Sequence, residues 1–156
     1  MSKERLTYLV VVDATEESRL ALRYAARRAA HVGGIVKCLR VLPPMEFVAW
    51  GAVQKAMEAE AIEEAETLLK NAADEAEMLT GARPEVEWRQ GDSAAAEVLA
   101  ALDDDLGTRA LVLAAAAKGP PGPLVSFFTG DRAGTLPCLL IVVPGGLSEG
   151  AIDRLA

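Results

Sequence analysis

The chain has 156 residues, a mass of 16.4 kDa and a formal net charge of −7. This length is typical of one domain, here residues 1–156, and a hydrophobic content of 51% excludes intrinsic disorder. Two cysteines exclude a disulfide scaffold, and the aliphatic runs are too short for a membrane span. The acidic balance disfavours a nucleic-acid partner. The N-terminus does not resemble a signal peptide, so we expect a cytoplasmic protein.

The first strand and helix are predicted from an apolar run that ends at a carboxylate. Residues 6–12 are short, rich in β-branched side chains and continuously apolar, as in strands buried on both faces of a parallel sheet. The run stops at Asp13, and Thr15 is the predicted N-cap of a helix that Gly33 and Gly34 terminate. Three arginines on one face of this helix are interpreted as solvated surface: Arg19, Arg23 and Arg27.

The rest of the chain continues the alternation of strands and helices. Further strands are predicted at residues 35–42, 84–90, 110–114 and 137–143. Helices are predicted at residues 52–80, 93–105 and 124–133, with a weak helical pattern at 148–155. This order predicts an α/β fold with a five-stranded parallel sheet and helices on both faces. With strand order 3-2-1-4-5, a ligand would bind near Asp13, residues 41–42 and the loop after Ala114.

The inventory of reactive side chains predicts neither a catalytic residue nor a metal site. The one histidine, His31, lies at the predicted carboxyl end of the first helix, away from the crevice, so a Ser–His or Cys–His pair has no base there. Cys38 and Cys138 fall on strands two and five, about 14 Å apart, which is too far for a disulfide. Neither G-x-G-x-x-G nor a P-loop motif occurs.

Several segments resemble universal stress proteins. Residues 8–18 (Y-L-V-V-V-D-A-T-E-E-S), followed by A-L-R-Y-A at 21–25, resemble the opening of that family. Residues 39–42, 90–92 and 137–143 resemble its second strand, a strand–helix turn and its terminal strand, in the right order. The resemblance implies a Rossmann-like fold of the adenine nucleotide alpha hydrolase type, homodimers and, in many members, ATP or AMP as a ligand.

The resemblance also implies where a nucleotide would lie. In ATP-binding members the adenine meets the aspartate after strand one, here Asp13, and a valine on strand two, here Val41. The phosphates meet G-x-x-G, nine further residues and Gly-Ser/Thr after strand four. If the motif is aligned from the end of strand four, alanines at 114–117 replace its glycines. If it is aligned on the glycines of the sequence, only seven residues separate Gly122 from Gly130. The candidate nucleotide-binding residues are Asp13, Val41, Ala114, Ala117, Lys118, Gly119, Gly122, Ser126 and Gly130.

The loop after strand four departs from a phosphate site. A phosphate cradle uses convergent backbone N–H groups, which prolines lack, and Pro120, Pro121 and Pro123 stand within five residues. Asp131 adds negative charge near the phosphates. We therefore predict a regulatory or binding module without catalytic activity, with weak or absent ATP binding and no required cofactor.

Two alternative functions stay open. One is an ATP- or AMP-binding protein with slow nucleotide hydrolysis, in which Asp13 positions a metal or water and Lys118 contacts the phosphates. The other is a protein-interaction module whose unidentified protein clients dock on Phe47 and Trp50. These two aromatic residues lie in the apolar connector after strand two, and folding of this loop back over the core would also explain them.

The fifth strand predicts a homodimer. It lies at the edge of the proposed sheet and carries no charge, although soluble monomers protect such edges. Pairing with the same strand of a second copy, antiparallel about a two-fold axis, would satisfy its free backbone groups. The alternative is that residues 148–155 fold over this edge within one chain. The predicted interface residues are Leu139, Leu140, Ile141, Val142 and Val143.

Overall fold

The computed structural model describes residues 6–44 and 51–156. It confirms the predicted sheet, with five parallel strands in the order β3-β2-β1-β4-β5. The strands are β1 (Thr7–Val11), β2 (Ile35–Leu42), β3 (Glu85–Gln90), β4 (Thr108–Ala115) and β5 (Leu139–Pro144). The helices are α1 (Glu16–Val32), α2 (Ala52–Thr80), α3 (Ala94–Asp104), α4 (Pro123–Phe128) and α5 (Glu149–Leu155), with a 3₁₀ turn at Ala133–Thr135.

Alternating side chains give the sheet two apolar faces, each covered by helices. On one face Val10 packs with Leu22 of α1 and Ile152 of α5, and α2 completes the layer. On the other face Leu9 packs against α3 and against Phe128 of α4, which is fully buried. Because successive residues of a strand point to opposite faces, one apolar run supplies both cores. The prediction of helices on both faces is confirmed.

The ends of α1 are set by its own sequence, as predicted. Thr15 Oγ1 accepts a hydrogen bond from Ser18 N at 3.3 Å and caps the first turn. At the other end Gly33 has φ 72°, a left-handed conformation that costs glycine little, and its N–H bonds to Ala29 O. These caps fix where the chain leaves β1 and where it returns to β2.

Helix α4 is shorter than predicted. The sequence pattern extends it to about residue 133, but it ends at Phe128. Thr129 Oγ1 donates to Val125 O at 2.7 Å, and the chain then turns through Gly130, whose carbonyl accepts from Ala133 N at 3.1 Å. Threonine and glycine in succession are poor helix formers, so the helix stops and a separate 3₁₀ turn follows.

The arginines of α1 form ion pairs, which corrects the prediction that they are solvated surface. Arg23 and Arg27 both contact Asp153 of α5, and Arg19 contacts Glu75 of α2. These contacts hold α5 against α1. The tail is therefore anchored on α1, and whether it also covers the outer edge of β5 stays a prediction.

Helix α2 extends beyond the sheet. Its 29 residues span about 44 Å at 1.5 Å per residue, against about 26 Å for an eight-residue strand. Its buried residues begin only at Ala65, and Val53 in the first turn is 58% exposed. Among the helices that the structure describes, none is long and apolar enough to cross a membrane. Phe47 and Trp50, the proposed interaction residues, lie outside the described residues.

Candidate functional site

The turn after β1 holds a carboxylate at the carboxyl end of a central strand. Asp13 follows β1, as predicted, and its Oδ1 accepts hydrogen bonds from Thr15 N, at 2.9 Å, and from Thr15 Oγ1. Asp13 N donates to Ser18 Oγ at 2.9 Å. Because these bonds use only one carboxylate oxygen, Oδ2 has no hydrogen-bond donor among the described residues, and Asp13 is exposed.

A cavity of about 210 Å³ lies between the ends of β1 and β4, which are hydrogen-bonded neighbours at the point where strand order reverses. Ligands of open α/β sheets bind at this position. Its apolar walls come from both strands and from the start of α4: Val11, Leu113, Pro121, Pro123, Leu124 and Val125. Its polar side chains all come from the β1–α1 segment: Asp13, Thr15, Glu17 and Ser18.

The loop after β4 uses its backbone groups internally. Ala116 N donates to Pro121 O at 3.1 Å, and Gly145 N, from the β5–α5 loop, donates to Ala115 O at 2.7 Å. A Cβ at Gly145 would lie 2.6 Å from Ala115 O and 3.0 Å from Ala117 N, so the two loops are in direct contact. In this loop Ala116 N is therefore engaged and the three prolines carry no N–H, so these four positions offer no donor to a phosphate.

The structure brings three of the candidate residues together in the lining of the cavity. Asp13, Ala114 and Gly122 line it. Val41 is not part of the lining and is buried in the core that α3 covers, but its position two residues beyond the β2 partner of Val11 puts it level with Asp13. The remaining candidates are exposed and lie outside the lining of the cavity: Ala117, Lys118, Gly119, Ser126 and Gly130.

Glu17 and Ser18 line the cavity but were missed as site residues. From the sequence alone, Glu17 was interpreted only as an acidic residue at the positive end of a helix dipole. Its position could have indicated a site residue, because the first turn of a helix that follows a central strand starts at the same sheet edge as the crevice. Glu17 is half-buried and Ser18 is buried, which places both inside the site rather than on open surface.

The thiols and the histidine lie away from this cavity. Cys38 is buried in β2, where desolvation raises the pKa of its thiol to about 12. Desolvation also raises the pKa of Cys138, at the start of the β5 edge. His31 Nδ1 lies 3.0 Å from Ala156 O, at the opposite end of α1 from Asp13. Within residues 6–44 and 51–156, no cluster of three histidine, cysteine or carboxylate side chains could hold a metal ion.

Solved structures with the same fold include several universal stress proteins. UspA from Lactobacillus plantarum superimposes with a TM-score of 0.72 at 16% identity, covering 91% of this chain and 99% of that one. The universal stress protein from Archaeoglobus fulgidus in complex with dAMP has a TM-score of 0.61 at 19% identity, and the match covers 91% of this chain and 98% of that one. A universal stress protein in complex with cAMP has a TM-score of 0.60 at 17% identity, with 90% and 98% covered.

Sequence comparison identifies the family directly. No curated protein sequence matches the chain. Residues 6–144, however, match the profile of the Universal stress protein family. This match includes the five strands and the β1–α1 turn that carries Asp13. The chain therefore belongs to the universal stress protein family.

Proposed function

We propose that the protein is a non-catalytic binding module whose crevice takes an adenosine-type ligand and binds ATP only weakly. The observation that carries this proposal is the crevice between β1 and β4, with apolar walls and a neighbouring loop that bonds to itself. Two structurally similar proteins are described in complex with dAMP and with cAMP.

Calorimetric titration tests this proposal. The purified protein is titrated with ATP, AMP and cAMP in magnesium buffer. We expect an ATP dissociation constant on the order of 100 μM or weaker, because three prolines and the engaged Ala116 N remove four N–H donors from residues 116–123. Binding of ATP below about 1 μM, or nucleotide retained through purification, would contradict it. In that case Lys118 and Ser126 would be the first residues to substitute.

Slow hydrolysis is the competing function for the same crevice. It requires Lys118 near the phosphates, but this side chain is exposed and outside the lining of the cavity. It also requires Asp13 to act on a metal or water, yet one of its oxygens is engaged by Thr15. We expect no phosphate release from ATP above the buffer background. Release that disappears in Asp13→Asn would favour the hydrolase instead.

We also propose a homodimer joined through β5. This strand is at the edge of the sheet, and its outer side pairs with no other strand among the described residues. Leu139 is 64% exposed, a large apolar side chain left on an uncharged edge. An open apolar edge is a template for strand pairing, so a second copy is the natural partner. The alternative function, protein interaction through Phe47 and Trp50, stays a prediction.

A further inference from the structure

The side chains that line the crevice carry negative charge without a balancing cation. Asp13 and Glu17 supply two carboxylates, and neither a lysine nor an arginine belongs to the lining. Among the described residues, neither carboxylate lies within ion-pair distance of a basic side chain, whereas Arg19 on the same helix is engaged by Glu16 and Glu75. The crevice therefore presents hydrogen-bond acceptors and two negatively charged side chains.

The Cβ atom of Glu17 packs against the loop between β5 and α5. A Cβ at Gly145 would lie 2.9 Å from Glu17 Cβ, so the β5–α5 loop packs directly against this residue. That loop is itself bonded to the end of β4 through Gly145 N and Ala115 O, at 2.7 Å. Glu17 is half-buried, and it lines the cavity together with Gly122 and Pro123 at the start of α4.

From this arrangement we infer that the crevice selects its ligand by charge: it takes an uncharged nucleoside in preference to its phosphates, and Glu17 is the residue that sets this preference. The inference rests on the proposed function, since it assumes an adenosine-type ligand in the crevice. A nucleoside brings N–H and O–H donors that suit free carboxylate oxygens. AMP carries up to about two negative charges and each further phosphate adds about one, and the unpaired carboxylate of Glu17 repels them.

The selectivity is tested by ligand-observed NMR titration with adenosine, AMP and ATP, without divalent cations. For the wild type we expect affinity to fall with each phosphate, so that adenosine binds at least about tenfold more tightly than ATP. Higher ionic strength should narrow this gap, because salt screens repulsion between like charges. A wild-type protein that binds ATP more tightly than adenosine overturns the inference and leaves the proposed function standing.

The role of Glu17 is tested against a matched neighbour. Glu17→Gln should raise ATP affinity by about threefold to tenfold and leave adenosine affinity nearly unchanged. Glu16→Gln makes the same charge change one residue earlier, on a side chain that is 91% exposed and outside the cavity, and should alter neither affinity. Equal gains in both variants, or no gain in Glu17→Gln, overturn the assignment of Glu17. Absence of binding by all three ligands overturns the proposed function and this inference with it.

Discussion

Arg23 of α1 and Asp153 of α5, which are 130 positions apart in the sequence, form an ion pair with two hydrogen bonds. Arg23 Nε donates to Asp153 Oδ1 and Nη2 donates to Oδ2, both at 2.7 Å, and Arg27 Nε adds a bond to Oδ1 at 3.3 Å. Bidentate hydrogen bonds between a guanidinium and a carboxylate are among the strongest ion-pair contacts in proteins. They fix α5 on α1.

The Arg23–Asp153 pair predicts a loss of stability in acid. The hydrogen bond from Arg23, reinforced by Arg27, lowers the pKa of Asp153 to about 2. An unfolded aspartate has a pKa of about 3.9, so the pair stabilises the fold above about pH 4 and this contribution disappears as the pH falls towards 2. Asp153→Asn should lower the Tm by a few degrees near neutral pH, and the difference from wild type should vanish near pH 2.

Thermal unfolding followed by circular dichroism across this pH range checks the prediction. Asp131→Asn is the control, because this exposed carboxylate forms no ion pair with any residue that the structure describes. Its Tm should track the wild type at every pH. A difference between Asp153→Asn and wild type that stays constant down to pH 2 would show that Arg23 does not stabilise the charged form.

The β5 edge predicts which substitution separates the two copies. Leu139→Lys places a charge on a side chain that is 64% exposed within one chain, so the fold should survive while the strand pairing is lost. We expect the mass measured by sedimentation at tens of micromolar to fall from twice 16.4 kDa to about 16.4 kDa. Leu140→Lys and Ile141→Lys are harsher, because these side chains pack against the two cores.

The opposite edge of the sheet provides the control. Val86 of β3 is 49% exposed, and Val86→Lys makes the same chemical change on the strand farthest from β5. It should leave the mass unchanged. A wild-type protein that sediments as a monomer, or a dimer that persists in Leu139→Lys and dissociates in Val86→Lys, would place the interface elsewhere.

The contact between the loops after β4 and β5 predicts a large effect from a single methyl group. In Gly145→Ala the new Cβ would meet Ala115 O at 2.6 Å and Ala117 N at 3.0 Å, and neither backbone atom can move easily. We expect a loss of about 1–3 kcal/mol in the free energy of unfolding, measured by urea denaturation at fixed protein concentration. Gly146→Ala, whose Cβ would meet nothing within 4 Å, should be nearly neutral. Equal stability of the two variants would contradict the packed loops.

The turn at Asp13 depends on the hydroxyl of Thr15. Thr15→Ala removes the acceptor for Ser18 N and a donor to Asp13 Oδ1, and we expect it to cost about 1 kcal/mol of unfolding free energy. Thr15→Ser keeps the hydroxyl and should restore most of this stability. Denaturant curves of both variants check the prediction, and an alanine variant as stable as the serine variant would exclude capping by this side chain.

Much of the fold could be predicted because its signals are local. The apolar run before Asp13 and the glycines that follow α1 each act over a few residues. The repeated alternation of strand and helix then restricts the topology to a parallel sheet, and right-handed crossovers leave few strand orders. The position of Asp13 at the carboxyl end of a central strand follows from the same pattern.

The candidate site was predicted less completely, because loops that are distant in sequence build it. Val41 shares a core face with Leu9 and α3 and lies level with Asp13, and its contact with a ligand stays a prediction. Lys118 lies in the right loop, but its exposed side chain does not reach the cavity lining.

The sequence by itself determined the order of the elements, the caps of α1 and the placement of Asp13, since hydrophobic periodicity and capping are short-range effects. Only the tertiary structure decided that Arg23 pairs with Asp153 and that Glu17 packs against the loop of Gly145. The physical reason is that each of these contacts joins residues more than a hundred positions apart. Strand register and helix packing bring them together, and no local sequence pattern encodes that arrangement.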